Sequence, residues 1–292
     1  MNYRTIQEIR AAHPSRDGDG VALRRVAGMG HAAMDPILMI DELRSEQRDD
    51  FGGGFPPHPH RGMQTLTYLK HGGIIHEDNQ GNRGEIRGGG AQWMSAGSGI
   101  IHSEMPTSDT AGLHGFQLWV NLPRADKMSA PRYRDVARSE LARLETSHFD
   151  ATAVSGHWTL QLPAAPADTI RGPLVELEER AGVLDLALEP NAVVEVPVPA
   201  SESLLGYVFE GSLINGESAV HAQHLVVMGR GDRWRLEAGP EGASVLLLRG
   251  EPLGEPVAHY GPFVMNTSAE IEQAITDYQS GTFGTLSPAQ AS

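Results

Sequence analysis

Phe55-Pro-Pro-His58-Pro-His60-Arg61-Gly62 and, farther on, Gly97-Ser-Gly-Ile-Ile-His102-Ser-Glu104 are the two stretches on which the reading of this chain turns. In an extended strand alternate side chains share a face, so His58 and His60 point to one side of their strand and His102 and Glu104 to one side of theirs. Set on facing strands, the two pairs supply three imidazoles and a carboxylate. That donor set suits Fe(II), Mn, Co, Ni or Cu(II), and zinc less distinctively. It leaves one or two positions of a six-coordinate ion open to substrate or oxygen. The bland alternative is that His-x-His is ordinary strand polarity. Pro57 and Pro59, which stiffen the pair, and the glycine turns around both stretches favour the metal.

Outward from these stretches the chain reads as all-β. Fifteen of the 34 glycines lie between positions 52 and 115, a density that excludes a regular helix and suits short strands joined by tight turns. Val21 to Met29, Pro36 to Ile40 and the strongly β-forming Gly115 to Val120 read as strands, and Gln64 to Leu69 has the alternation of a half-buried one. The second half repeats the first in outline. Tyr68-Leu-Lys-His-Gly72 aligns with Tyr207-Val-Phe-Glu-Gly211, and Trp93-Met-Ser-Ala-Gly97 with Val227-Met-Gly-Arg-Gly231. On this register Pro197 and Pro199 stand where the first half has His58 and His60, and Leu236 and Ala238 where it has His102 and Glu104. Only the first unit should therefore hold a metal. The proline-punctuated, charged stretch after Pro123 places the boundary near 145, giving domains 1–145 and 146–292. Near the end, Thr267-Ser-Ala-Glu270 is a capping box. Ile271, Ala274, Ile275 and Tyr278 form one helical face and Gly281 follows, which predicts an amphipathic C-terminal helix that packs across the strands.

Composition narrows the function. A formal charge of −14 argues against nonspecific binding to nucleic acid or anionic membrane. The lack of cysteine excludes a disulfide scaffold, a thiolate zinc site and a cysteine nucleophile. The polar start has no apolar run like a signal peptide and no later stretch reaches membrane-span length, so a soluble cytoplasmic protein is expected.

Other candidates are weaker. Gln64 is expected beside the metal, orienting a histidine or a water. His76, Glu77 and Asp78 form a rival cluster, but they adjoin a polar turn and read as solvated surface. Trp93, Met63 and Phe116 suit either a pocket wall or the core. No spacing singles out His71, His114, His221 or His224.

The two-part signature, Gly54-Phe-Pro-Pro-His-Pro-His-Arg-Gly62 with Gln92-Trp-Met-Ser-Ala-Gly-Ser-Gly-Ile-Ile-His-Ser-Glu-Met-Pro106, resembles the pirin family of the cupin superfamily. Asn79-Gln-Gly-Asn-Arg-Gly84, Leu118-Trp-Val-Asn-Leu-Pro123 and His259-Tyr-Gly-Pro-Phe-Val-Met-Asn266 extend the resemblance over nearly the whole chain. It implies two cupin (double-stranded β-helix, jelly-roll) barrels facing each other, with a C-terminal helix. One divalent ion, iron(II) first, would sit in the N-terminal barrel on His58, His60, His102 and Glu104. The implied activity is that of a quercetin 2,3-dioxygenase acting on a small aromatic substrate with O2, with Glu104 also the catalytic base. The alternative is a redox-responsive regulatory protein that binds a transcription factor or a metabolic enzyme. Paired barrels bury what a single cupin buries by dimerising, so a monomer is expected. The chain departs from the family pattern at Gln64, where glutamate is common, and at Gly89-Gly90, where Gly-Asp is frequent.

Overall fold

A computed structural model describes residues 2–283 as two compact units. The signature unit comprises Pro14–Gly30, Ile37–Arg138 and the tail from Leu253. The companion unit comprises the residues up to His13, His31–Pro36 and Ser139–Pro252. Strands run in the order β1 (Ile6–Ala11), β2 (His13–Asp17), β3 (Val21–Ala27), β4 (Ile37–Ser45), β5 (Phe55–His60) and β6 (Met63–His71). There follow β7 (Gly73–Asp78), β8 (Arg83–Arg87), β9 (Ala91–Ser95), β10 (Ile100–Pro106), β11 (Leu113–Asn121) and β12 (Arg132–Val136). Ten more, β13 to β22, lie between Ala142 and Gly250, with a one-turn helix α1 (Val175–Glu178) among them. A hairpin, β23 (Ala258–Tyr260) and β24 (Phe263–Met265), leads into helix α2 (Ser268–Gln279). No helix among the described residues is long and apolar enough to cross a membrane.

The all-β composition and the C-terminal helix stand as the sequence predicts, but the closed, facing barrels do not. In the signature unit seven strands form one sheet in the order β12-β9-β6-β11-β4-β3-β2, and four form another in the order β5-β10-β7-β8. Both paths end on open edges, and among the described residues no ladder joins them. The edge sequences give the physical reason. Pro56, Pro57 and Pro59 strip donors from β5, and Pro14 does so in β2. Charged side chains alternate along β8 (Arg83-Gly-Glu-Ile-Arg87) and β12 (Arg132-Tyr-Arg-Asp-Val136). The companion unit is likewise open. Its main path β1-β21-β19-β22-β17-β14-β13 starts and ends on unpaired edges, and the remaining strands branch from it.

The internal repeat is visible in these orders. In the companion unit β21 (His224–Met228), β19 (Ser203–Asn215), β22 (Arg233–Gly250) and β17 (Gly182–Leu188) lie side by side as β9, β6, β11 and β4 do in the signature unit. The aligned Tyr68 and Tyr207 fall on β6 and β19. Pairing refines the comparison of ligand positions: Leu236 faces Val194, three residues before Pro197. Both are buried in the unit's large apolar core, so this copy keeps hydrocarbon where the first has imidazoles.

β6 is buried from Met63 to Leu69 rather than on one face only, because this central strand is covered on both faces. The tail closes the signature unit. Thr267 caps α2 by accepting from the Glu270 N–H, and Glu270 reaches back to the Asn266 N–H. Ile271 and Ala274 pack on Phe263 and Met265 of β24. This apolar patch carries the helix, since burying such side chains is worth roughly 1.5–3 kcal/mol each.

Candidate metal centre

Strand pairing creates the cluster. β10 runs antiparallel to β5 with His102 opposite His58 and Ile100 opposite His60. Beyond that the register slips, because Glu104 pairs with Phe55 and β5 carries an extra residue around Pro56 and Pro57. A bulge of this kind re-aims the side chains beside it. His58, His60 and His102 each bring one ring nitrogen to within 4.8 Å of the others.

Hydrogen bonds assign the tautomers. His58 Nδ1 lies 2.8 Å from the Pro56 carbonyl, which can only accept, so Nδ1 carries a hydrogen and the neutral ring has its lone pair on Nε2. His60 is buried in a T-shaped contact with Trp119, with ring centroids 5.2 Å apart at 90°, and the Pro262 carbonyl near its ring falls short of hydrogen-bond geometry, so neither nitrogen is well partnered. His102 Nε2 is also buried and unpartnered. Burial pushes the His60 pKa well below 6.5, and His58 beside it adds to the effect. Burial does the same for His102, reinforced by His60, His58 and His76. These are neutral imidazoles with orphaned lone pairs, a costly arrangement in an apolar interior unless an ion takes them up. The residues fit a single divalent ion.

Glu104 lines the same cavity, but a hydroxyl and an amide hold its carboxylate. Oε1 lies 2.7 Å from Thr67 Oγ1, and Oε2 lies 3.4 Å from Gln117 Nε2. Thr67 Oγ1 is also 2.7 Å from Gln117 Oε1. A hydroxyl has one hydrogen, so it serves one oxygen at a time.

The cavity has a volume of about 570 Å³, within the roughly 300–1,000 Å³ typical of sites for small organic ligands. Met29, Met39, Leu43, Phe55 and Trp119 give it an apolar lining. Arg25 adds a guanidinium held by Asp41 at 2.8 and 3.0 Å.

Other sequence candidates fall elsewhere. Gln64 Oε1 accepts the Trp93 indole N–H at 2.6 Å, so this amide serves the core. Trp93, Met63 and Phe116 are buried away from the cavity wall. Glu77 is exposed in an ion pair with Arg83, as a solvated turn implies. His76 and Asp78 differ from that reading, for both side chains are fully buried. The signal was available: His76 and Asp78 have the same i, i+2 spacing as His58 and His60, which places them on one face of a strand. Gln117 and Trp119, which line the cavity, and Thr67, which touches Glu104, carried no comparable mark, because they come to the site only through the pairing of β6 and β11.

Residues 20–120 match the family model described as Pirin, and residues 183–284 the one described as Pirin C-terminal cupin domain. A putative quercetin 2,3-dioxygenase of Vibrio cholerae is 43% identical over 283 residues, 97% of this chain and 98% of that protein. A pirin-like protein of Caulobacter vibrioides is 42% identical over 285 residues, 97% of this chain and all of the other. The crystal structure of a quercetin 2,3-dioxygenase from Acinetobacter baumannii has a TM-score of 0.84 at 28% identity, covering 97% of this chain and 99% of that one.

Proposed function

Because the chain belongs to the pirin family, we propose that it is a mononuclear metal dioxygenase that cleaves a quercetin-like flavonol with O2. His58, His60, His102 and Glu104 hold the ion in this reading, and iron(II) is its first candidate. The observation that carries it is the cluster of three imidazoles beside a largely apolar cavity, in which buried ring nitrogens of His60 and His102 have no hydrogen-bond partner. When bound, a divalent ion supplies an open position that acidifies a flavonol hydroxyl.

The chain's own groups do the rest. Met29, Met39, Leu43 and Trp119 take the flat rings and exclude water. Glu104 accepts the hydroxyl proton on its carboxylate. Once protonated it donates to Thr67 Oγ1, which turns its own hydrogen to Gln117 Oε1. Either charge state of Glu104 thus finds a partner within the chain, which suits a carboxylate that takes up and gives back a proton. The enzyme in this reading is a cytoplasmic monomer.

Protein loaded with iron(II) or nickel(II) should consume O2 and release carbon monoxide in step with quercetin loss. No turnover with any divalent metal would overturn the catalytic reading in favour of a redox-responsive regulatory one.

A further inference from the structure

On its other edge β10 pairs with β7, which sets Asp78 opposite His102 and His76 opposite Glu104. His76 is wholly buried, and its ring stacks on Tyr133 with centroids 4.4 Å apart at 28°. Its Nε2 lies 3.1 Å from Asp78 Oδ2, and its Nδ1 lies 3.2 Å from Nδ1 of His102. Asp78 is itself fixed. Oδ1 accepts the backbone N–H groups of Gln80 and Asn82, and Oδ2 accepts the Asn82 amide at 2.9 Å.

The donors follow from valence. An ionised carboxylate can only accept, so the hydrogen between Asp78 and His76 is on His76 Nε2. When His76 is the neutral ring, that is its one N–H, and Nδ1 keeps a lone pair. The hydrogen between the two rings therefore belongs to His102 Nδ1. His102 Nε2, the nitrogen without a partner, is then a lone pair aimed at the cluster.

We propose that His76, held by Asp78, is a positioning residue that locks the tautomer and ring plane of His102 and strengthens Nε2 as a donor. A ligating histidine ordinarily hands its second N–H to a carboxylate or carbonyl, and loss of that partner costs metal affinity. Here an imidazole stands between ligand and carboxylate, clamped by the Tyr133 ring. This inference rests on the reading of the three histidines as metal ligands.

Two substitutions separate hydrogen bonding from packing. Glutamine, like neutral imidazole, offers a donor and an acceptor, so His76→Gln keeps the relay. His76→Phe keeps the stack on Tyr133 and loses both hydrogen bonds. Co2+ affinity should fall about 10- to 100-fold in His76→Phe, with a changed visible absorption spectrum, and should recover to within a few-fold in His76→Gln. Parent-like affinity and spectrum in His76→Phe would overturn the proposal, as would equal losses in both variants.

If His76→Phe does not fold, the wild-type protein decides. With 15N-labelled histidine and Zn2+, long-range 1H–15N correlations should show His102 protonated on Nδ1 and coordinated through Nε2, and His76 protonated on Nε2. A His102 coordinated through Nδ1 refutes the relay alone. Ring signals of His58, His60 and His102 that Zn2+ leaves unmoved refute the metal site itself.

Discussion

His60 and His102 stay neutral at a pH where a free imidazole begins to charge, since burial and neighbouring rings hold both pKa values well below 6.5. The unfolded chain takes up protons there near pH 6.5 while the folded one does not. Their contribution to stability is complete above that pH and is lost as pH falls towards the folded pKa values. The urea midpoint of metal-free protein should therefore drop between pH 7.5 and 5.5 at constant m value. Each group contributes up to about 1.4 kcal/mol per pH unit. Thr67→Val removes the hydroxyl beside Glu104 but touches none of the three imidazoles. Metal content by elemental analysis should hold while kcat falls about 100-fold, the lower end of the range for proton-handling groups. At this scale the sequence was legible for residues whose spacing announces a shared face, as in His58 and His60. Gln64 was misread because its partner, Trp93, reaches it through sheet pairing, and nothing local in a sequence records such a neighbour.

Elements hold the signature stretch through its flanks. Arg61, buried just after β5, donates to Asp277 of α2 at 2.7 Å and to the Ser98 carbonyl at 2.7 Å, and its guanidinium lies 4.6 Å from the Phe283 ring centre. The capping box and apolar face made α2 readable, whereas its role as the anchor of Arg61 appears only in the fold. Thr267→Ala should cost about 1 kcal/mol, read from denaturant melts. Lys127 ties the other side, with its ammonium on Gly62 O, Asn121 Oδ1 and Val264 O at 2.8, 2.7 and 3.1 Å. Lys127→Met would leave three buried oxygens without this donor. It should destabilise the protein by roughly 2–4 kcal/mol, far more than an exposed lysine would, as chemical denaturation can measure.

At the scale of the whole molecule, a ligand that binds only the folded signature unit stabilises it by mass action. Divalent metal at about a thousand times its Kd should add roughly 4 kcal/mol, seen as a rise in Tm that a chelator reverses. His58→Ala should abolish both the rise and the bound metal. The duplication was legible because Tyr68 and Tyr207 mark the same strand in each unit. Barrel closure was not, because it depends on whether edge strands meet, and a sequence expresses that only through prolines and charges along the edges. β5 shows what such an edge achieves. With Pro56, Pro57 and Pro59 among its six residues it keeps three backbone N–H groups. An open sheet margin is normally a template on which another chain can add a strand and begin to aggregate. This one offers a stray strand few donors, so the protein can keep a ligand-lined edge unpaired at high concentration without seeding its own precipitation.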